Sequence, residues 1–230
     1  MSLFSLLTTL VAPHDCVICG RTTTAPEGQL CEWCLYSLPS YAGFGAKMPE
    51  IADRFLRRTE FYSANALLRY DRGNVVSELI KDFKYNGMQG VGRRLGERLG
   101  AEFASHTLSL QADVIVPMPI HILKRMRRGY NQTEILATAV SEKLAIPVER
   151  QLRATRPHST QTRKSLLQRR QGITADYFRV KNPEALRGKH ILLLDDVITT
   201  GSTMVAAASA ISRDAPSATI SLLALAATAD

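Results

Sequence analysis

The stretch of residues 191–204 constrains the fold of this chain more than any other part of the sequence. Four apolar residues at 191–194 are followed by Asp195 and Asp196, and then by the hydroxyl-rich loop Thr-Thr-Gly-Ser-Thr at 199–203. A continuous apolar run predicts a strand that is covered on both faces, as in the parallel sheets of α/β proteins. We therefore expect a buried strand, a short polar loop and a helix directly after it.

The rest of the chain alternates between apolar strands and amphipathic helices. Strand-like segments lie at residues 64–70, 113–116, 190–194 and 218–225, and helical periodicity lies at 76–83, 91–103, 131–144 and 203–213. This alternation predicts an α/β fold of the doubly wound type with a mainly parallel sheet.

Residues 39–60 contain several prolines and glycines and divide the sequence into two parts. Such a composition is typical of a linker. We therefore predict a small N-terminal module at residues 1–45 and a larger domain at residues 60–230.

The loop at 199–203 has the composition of an anion site. Its backbone N–H groups and hydroxyls can point at one anion, the following helix adds the positive end of its dipole, and Gly201 allows a close approach. The two acids need a separate reason, because carboxylates repel phosphate. A sugar phosphate supplies one, since Asp195 and Asp196 would accept hydrogen bonds from ribose hydroxyls while the loop holds the 5′-phosphate. The alternative is a strand that ends in a polar helix cap without a ligand.

The positive charge of the chain is concentrated in one window. Lys+Arg 29 and Asp+Glu 21 give a formal net charge of +8, and residues 121–170 hold 12 basic and 3 acidic residues. This local surplus favours an anionic ligand or partner, although a solvated charged face has the same composition.

Four cysteines occur as two closely spaced pairs, Cys16 with Cys19 and Cys31 with Cys34. Two such pairs can close a tetrahedral Zn²⁺ site, and four thiolate ligands leave no open coordination position, so the role would be structural. Two disulfides or a redox-active pair are the alternatives, and a reducing compartment disfavours the disulfides. Trp33, between two of the ligands, is predicted to be a core residue of the module rather than a base-stacking platform.

The sequence contains no apolar run of the roughly 18 residues that a membrane-spanning helix needs. Residues 1–12 are largely apolar, but they lack the basic start and the small-residue cleavage pattern of a secretory signal. We expect an amphipathic opening helix there, and a cytoplasmic location for the chain.

Residues 191–204 resemble the phosphoribosyl pyrophosphate (PRPP) motif of type I phosphoribosyltransferases. Three further features resemble the ComF family in particular. They are the four-cysteine module, residues 116–119 with the basic stretch that continues to residue 132, and residues 160–162 with Arg169. The resemblance covers residues 10–225, with one departure at Gly172, where many relatives carry asparagine.

The resemblance implies a domain that binds PRPP together with Mg²⁺. The PRPP contacts that it implies are Asp195, Asp196, Thr199, Thr200, Gly201, Ser202 and Thr203. A pyrophosphate loop would comprise Pro117, Met118 and Pro119. Behind it, a mobile basic stretch would contribute Arg125 and Arg128. A second mobile loop at about 153–170 would close over the site and include Gln161, Arg163, Lys164 and Arg169. The sequence offers no obvious nucleophile or general base, and none is required if positioning and charge stabilisation drive the reaction.

Three functions fit these features, because ComF-like proteins are associated with natural competence and DNA uptake. The first is an enzyme of DNA uptake or nucleotide salvage that transfers phosphoribose from PRPP to an unknown acceptor. The second is a competence factor that binds single-stranded DNA and uses the PRPP site as a sensor or for backbone phosphates. The third is an adaptor of a DNA helicase or translocase. The paired acids favour a competent PRPP site, since a pure backbone binder would gain from losing them.

Overall fold

The computed structural model describes residues 14–23, 29–45, 48–105, 111–155 and 175–229. Its strands are β1 (His14–Asp15), β2 (Thr22–Thr23), β3 (Ser63–Tyr70), β4 (Val114–Pro117), β5 (Leu152–Ala154), β6 (Phe178–Val180), β7 (His190–Ile198) and β8 (Thr219–Thr228). Its α-helices are α1 (Glu32–Tyr36), α2 (Pro49–Ala52), α3 (Val75–Tyr85), α4 (Gln89–Ala104), α5 (Ile122–Arg128), α6 (Gln132–Leu144) and α7 (Ser202–Asp214). Two 3₁₀ turns span Ala175–Tyr177 and Pro183–Leu186.

A sheet of four parallel strands, in the order β3–β8–β7–β4, forms the centre of the fold. Strand β7 lies between β8 and β4, and residues 191–194 are at most 1% exposed, as the apolar run predicted. Pro117 pairs with Leu194, and Asp195 pairs with Ala224. The carboxyl ends of β4 and β7 therefore meet at one edge of the sheet. This architecture confirms the predicted α/β fold with parallel strands.

Helices α4 and α6 pack closely through two glycines. A Cβ added at Gly96 would lie 2.8 Å from Cβ of Ala139, and one added at Gly100 would lie 2.9 Å from Cβ of Lys143. Helix α6 begins at Asn131, whose side chain accepts a hydrogen bond from the N–H of Thr133 as an N-cap. The start of α6 is held beside the end of β4 by hydrogen bonds from Asn131 and Thr133 to the carbonyl oxygen of Met118.

Residues 39–60 do not form the predicted linker. Met48, Ile51 and Phe55 are at most 3% exposed and belong to the hydrophobic core. These apolar residues recur at a helical spacing, which outweighs the prolines and glycines around them. The division into domains at 1–45 and 60–230 stays a prediction, but the segment between them is folded.

The basic stretch behind β4 is helical rather than a mobile loop, since Lys124 and Arg128 lie on α5. Arg153, predicted to open the second mobile loop, lies instead in β5, which pairs with β6 in an antiparallel ribbon. Three-residue strands carry too little periodicity to be detected in the sequence. The other residues assigned to that loop lie outside the described residues, namely Gln161, Arg163, Lys164 and Arg169.

The cysteine-containing segment is joined to α4 through a buried arginine. Arg98 of α4 is 4% exposed and donates hydrogen bonds to the carbonyl oxygen of Leu35, the hydroxyl of Ser40 and the carboxylate of Glu102. The opening helix expected at residues 1–12 lies outside the described residues. Among the helices that are described, none has the length and apolarity needed to cross a membrane.

Candidate functional site

A cavity of about 510 Å³ lies at the carboxyl ends of β4 and β7. In parallel α/β sheets this edge is the usual place for ligands. Side chains of both charges line the cavity: Asp195 and Asp196 at the end of β7, and Lys84, Lys124 and Arg128 from α3 and α5. The arrangement suits a ligand that combines hydroxyl groups with anionic groups.

Asp196 forms an ion pair that the sequence did not predict. Nζ of Lys84 lies 2.8 Å from Oδ1 of Asp196, and both side chains are largely buried. Burial alone would lower the pKa of Lys84, but the negative charge of Asp196 outweighs it and raises that pKa. Lys84 therefore stays charged and compensates one of the two acids.

Asp195 forms no ion pair with a cation among the residues that the structure describes. Its Oδ1 accepts a hydrogen bond from the N–H of Asp196 at 2.8 Å. Burial and the neighbouring Asp196 carboxylate together raise the pKa of Asp195 to about 7, although the Asp196 N–H and Lys84 act in the opposite direction. The carboxyl of Asp195 is therefore close to half-protonated at neutral pH.

The loop at 199–203 joins β7 to the start of α7. Thr203 lines the main cavity, and both Asp195 and Thr203 also line a small cavity of about 20 Å³ along the loop. Gly201 is the N-cap of the thirteen-residue helix α7. The five predicted PRPP contacts of the loop and the two acids thus lie together, beside the positive end of a helix dipole.

Gly201 is required by two features of the loop. Its φ of 71° is in the left-handed region, and an added Cβ would lie 2.9 Å from Cε1 of Phe55. We expect Gly201→Ala to lower the free energy of unfolding by more than the roughly 1–2 kcal/mol that the backbone conformation alone costs. Gly73→Ala is the matched control, because Gly73 has a φ of 80° and no atom near its added Cβ. Equal losses in urea unfolding of the two variants would show that the contact with Phe55 is unimportant.

The residues after β4 form the opposite wall of the cavity. Met118 is 2% exposed, and its carbonyl oxygen accepts hydrogen bonds from Thr133 Oγ1 and, at 3.2 Å, from Asn131 Nδ2. The N-cap region of α6 therefore fixes the predicted pyrophosphate loop. Pro117 is the buried last residue of β4, and Pro119 lines the cavity.

The basic residues of α5 divide between two cavities. Arg128 lines the main one and is held by Tyr85, which accepts a hydrogen bond at 2.9 Å and lies with its ring 4.7 Å from the guanidinium carbon. Burial and the nearby charge of Arg128 lower the pKa of Lys124. Arg125 lies 3.9 Å from Glu134 and lines an adjacent groove of about 220 Å³ instead. Arg125 and Arg128, which were predicted to lie in one basic stretch, thus line different cavities.

The four cysteines form a compact cluster of free thiols. Their sulfur atoms all lie within 4.8 Å of one another, and Sγ of Cys19 lies 3.8 Å from Sγ of Cys31. Zn–S bonds of about 2.3 Å in a tetrahedron place sulfur atoms about 3.8 Å apart, whereas a disulfide requires about 2.05 Å. The donor set and spacing fit a structural metal such as zinc. Cys16 and Cys19 flank the turn between β1 and β2, and Cys31 is the N-cap of α1, which contains Cys34.

The protonation of the cluster also fits a cation. Burial acts to raise the pKa of Cys16, but backbone N–H groups, first that of Cys31, outweigh it and lower that pKa to about 6. Burial and the neighbouring sulfur atoms raise the pKa of Cys34. The Cys16 thiolate is thus favoured within the cluster, and thiolates are the form in which cysteines bind a metal ion. Trp33, predicted to lie in the module core, is 73% exposed, because its neighbours Cys34 and Leu35 occupy the buried face of the short helix α1.

Three basic side chains near the site were not predicted from the sequence. They are Lys84 on α3, and Arg54 and Arg58 in the segment that follows α2. Each reaches its partner across more than a hundred residues of sequence. The local sequence does not indicate such long-range contacts. The i, i+4 spacing of Arg54 and Arg58 indicates only that they lie on one side of the turn.

Comparison with known proteins agrees with this geometry. The phosphoribosyl transferase domain family matches residues 119–229. Competence protein F of Haemophilus influenzae is 32% identical over 133 residues, which cover 56% of this chain and 58% of that protein. The chain is therefore similar to the phosphoribosyl transferase domain family and to this competence protein. Two other relatives are the DNA utilization protein YhgH of Escherichia coli, 31% identical over 62% of this chain and 63% of that protein, and competence protein ComFC of Bacillus subtilis, 24% identical over 85% and 83%.

The chain thus matches about three fifths of the length of its H. influenzae and E. coli relatives. Among solved structures, the glutamine PRPP amidotransferase of B. subtilis covers 61% of the chain and 30% of its own length, with a TM-score of 0.40 and 19% identity.

Proposed function

We propose that this chain binds PRPP, as its Mg²⁺ complex, in the cavity at the carboxyl ends of β4 and β7 and acts as a phosphoribosyltransferase. The observation that carries the proposal is the position of Asp195 and Asp196 at the end of a buried parallel strand, directly before an N–H-rich loop and a helix N-terminus. The phosphoribosyl transferase domain match includes all of these residues.

Each part of the site suits one part of PRPP. The loop at 199–203 would bind the 5′-phosphate through backbone N–H groups and hydroxyls. Asp195 and Asp196 would accept hydrogen bonds from the two ribose hydroxyls. Lys124 and Arg128 would face the pyrophosphate. Burial and, after it, the charge of Arg128 lower the pKa of Lys124, and a bound anion would favour its charged form.

The reaction would depend on positioning and charge. Breaking the bond between ribose and pyrophosphate leaves positive charge on the ribose and adds negative charge to the departing pyrophosphate. Lys124 and Arg128 would stabilise the pyrophosphate, while Asp195 and Asp196 would hold the ribose in place. Pro119, Tyr177 and Phe178 line the same cavity and would limit access of water.

Zinc in the cysteine cluster would have a structural role. Cys16, Cys19, Cys31 and Cys34 would hold the ion and close the N-terminal module, and four sulfur ligands leave no position for a substrate.

The names of the relatives refer to competence and to DNA utilization. We place this chain in the same broad role, with a transferase step that serves the use of imported DNA. Expression of the chain in E. coli that lacks YhgH should restore growth on DNA, and the Asp195→Asn, Asp196→Asn double variant should not. Restoration by that variant would separate the DNA role from the PRPP site.

The activity is tested by incubating the chain with PRPP and Mg²⁺ and measuring pyrophosphate release with a panel of bases and amines. We expect release that depends on one class of acceptor and requires both aspartates. Release that is equal in the wild type and the double variant would come from a contaminant or from hydrolysis elsewhere. If PRPP binds but no acceptor in the panel leads to pyrophosphate release, the protein would have only a PRPP-binding role.

PRPP affinity should depend on pH through Asp195. The pKa of Asp195 is raised to about 7, so its carboxyl is mostly protonated below that pH. The carboxyl must then lose its proton before it can accept a hydrogen bond from a ribose hydroxyl. Affinity should therefore fall about tenfold from pH 8 to pH 6, with release of up to about one proton on binding at the lower pH. Calorimetry in two buffers of different ionisation enthalpy measures both quantities. Asp195→Asn should bind more weakly and lose this pH dependence, and an unchanged profile in that variant would assign the titration to the phosphates of PRPP.

A further inference from the structure

Two arginines from outside the family-matched residues hold the phosphate loop from the side of α2. Nη1 of Arg54 donates to the carbonyl oxygen of Thr199 at 2.9 Å, and Nη1 of Arg58 donates to the carbonyl oxygen of Thr200 at 2.6 Å. Nη2 of Arg58 also donates to Oγ of Ser202 at 2.9 Å. These three contacts join two side chains to three residues of the loop, Thr199, Thr200 and Ser202.

The arginine pair is itself fixed in place. Arg54 donates to Oγ1 of Thr228 at 3.1 Å and to its carbonyl oxygen at 2.5 Å, so it is tied to the end of β8. Nη1 of Arg58 donates to the carbonyl oxygen of Arg54 at 2.7 Å. Between them, Phe55 is fully buried and lies beneath Gly201. Hydrogen bonds and the packing of Phe55 thus connect the end of β8, the segment after α2 and the loop.

The carbonyl contacts determine where the loop N–H groups point. In a trans peptide the C=O and the next residue's N–H point in opposite directions. When Arg54 holds the carbonyl of Thr199, the N–H of Thr200 is directed away from the arginine, and when Arg58 holds the carbonyl of Thr200, the N–H of Gly201 is directed likewise. Among the described residues neither N–H donates a hydrogen bond, so both are available to a ligand.

We propose that Arg54 and Arg58 are positioning residues for the 5′-phosphate, acting by orienting the peptide N–H groups of Thr200 and Gly201 toward it. This inference rests on the proposed PRPP site. The guanidinium groups also withdraw electron density from the two carbonyls, which strengthens the attached N–H groups as donors. The substrate contact that they serve is the one to a sugar 5-phosphate, and the pyrophosphate end of PRPP lies outside their influence.

The test compares ribose 5-phosphate with inorganic pyrophosphate as probes, measured by calorimetry on the full chain. Arg58→Ala should weaken ribose 5-phosphate by about 10- to 100-fold, the effect of losing one well-placed charged hydrogen bond, and change pyrophosphate affinity less than about twofold. Arg57→Ala is the matched control, because it removes the same charge from an exposed neighbouring residue that donates no hydrogen bond to the loop. Its affinity for both probes should match that of the wild type.

Arg58→Lys separates positioning from simple charge. A lysine keeps the positive charge but has no planar fork to reach both the carbonyl of Thr200 and the hydroxyl of Ser202. We expect it to bind ribose 5-phosphate as weakly as Arg58→Ala. In the wild type, the amide NMR signals of Thr200 and Gly201 should move on addition of ribose 5-phosphate, and in both Arg58 variants this movement should be largely lost.

The outcomes separate this inference from the proposed function. If the wild type binds ribose 5-phosphate and Arg58→Ala binds it equally well, the inference is overturned and the PRPP site stands. Full recovery in Arg58→Lys would overturn the positioning role in favour of charge alone. A wild-type chain that binds neither probe would overturn the proposed function, and the inference with it. Equal weakening of both probes in Arg58→Ala would show a general loss of structure and would also overturn the inference.

Discussion

The double variant Asp195→Asn, Asp196→Asn should lose PRPP binding almost completely. In the wild type both carboxylates lie at the end of β7 in the main cavity, where each can accept a charged hydrogen bond from a ribose hydroxyl. Two such bonds contribute roughly 3–6 kcal/mol, which corresponds to a loss of roughly 10²- to 10⁴-fold in affinity. Isothermal titration with PRPP and Mg²⁺ measures the loss.

The controls separate ligand contact from folding. Asp71→Asn removes an exposed carboxylate in the turn before α3 and should leave PRPP affinity unchanged. Because Asp196 pairs with the largely buried Lys84, the double variant also loses stability. The single variant Asp195→Asn keeps that ion pair and should still bind more weakly than the wild type. If the double variant bound PRPP with wild-type affinity, the proposal that the ribose binds at this edge of the sheet would be wrong.

Cys31→Ser should release the metal from the cysteine cluster and unfold the N-terminal module. Cys31 is both a predicted ligand and the N-cap of α1, where its sulfur accepts a hydrogen bond from the N–H of Cys34. Structural zinc sites contribute about 10–16 kcal/mol to the folding of small zinc-finger peptides, so loss of one ligand exceeds what a small module can tolerate. Metal content by mass spectrometry should fall from one zinc ion per chain to nearly none.

Trp33→Ala provides the matched control for the cysteine variant. Trp33 lies between two cysteines but is 73% exposed and donates nothing to the cluster in the described structure. It should keep full metal content and wild-type thermal stability. If Cys31→Ser retained one zinc ion per chain, the four-thiolate site would be wrong.

Features of the site that depend on neighbouring residues were predictable from the sequence. The apolar run, the two acids and the hydroxyl loop correctly indicated a buried strand followed by a helix N-terminus, because burial and capping are read over a few residues. The cap at Asn131 is of the same kind. The spacing of the cysteines likewise predicted a cluster, which the sulfur positions confirm.

Features that depend on tertiary contacts were not predictable. The ion pair of Lys84 with Asp196 joins α3 to the end of β7, and Arg58 reaches Thr200 across 142 residues of sequence. Alone, a lysine near the end of a helix or an arginine in a proline-rich segment indicates only a solvated surface. The exposure of Trp33 has the same origin, since a helix of five residues can bury only one face.

The most direct test of the PRPP site is a crystal structure of the chain with PRPP and Mg²⁺. We expect the 5′-phosphate to bind the N–H groups of residues 200–203, and the ribose hydroxyls to bind the carboxylates of Asp195 and Asp196. We expect the pyrophosphate to lie toward Lys124 and Arg128. PRPP bound away from the end of β7, or with its ribose hydroxyls turned from both aspartates, would contradict these expectations.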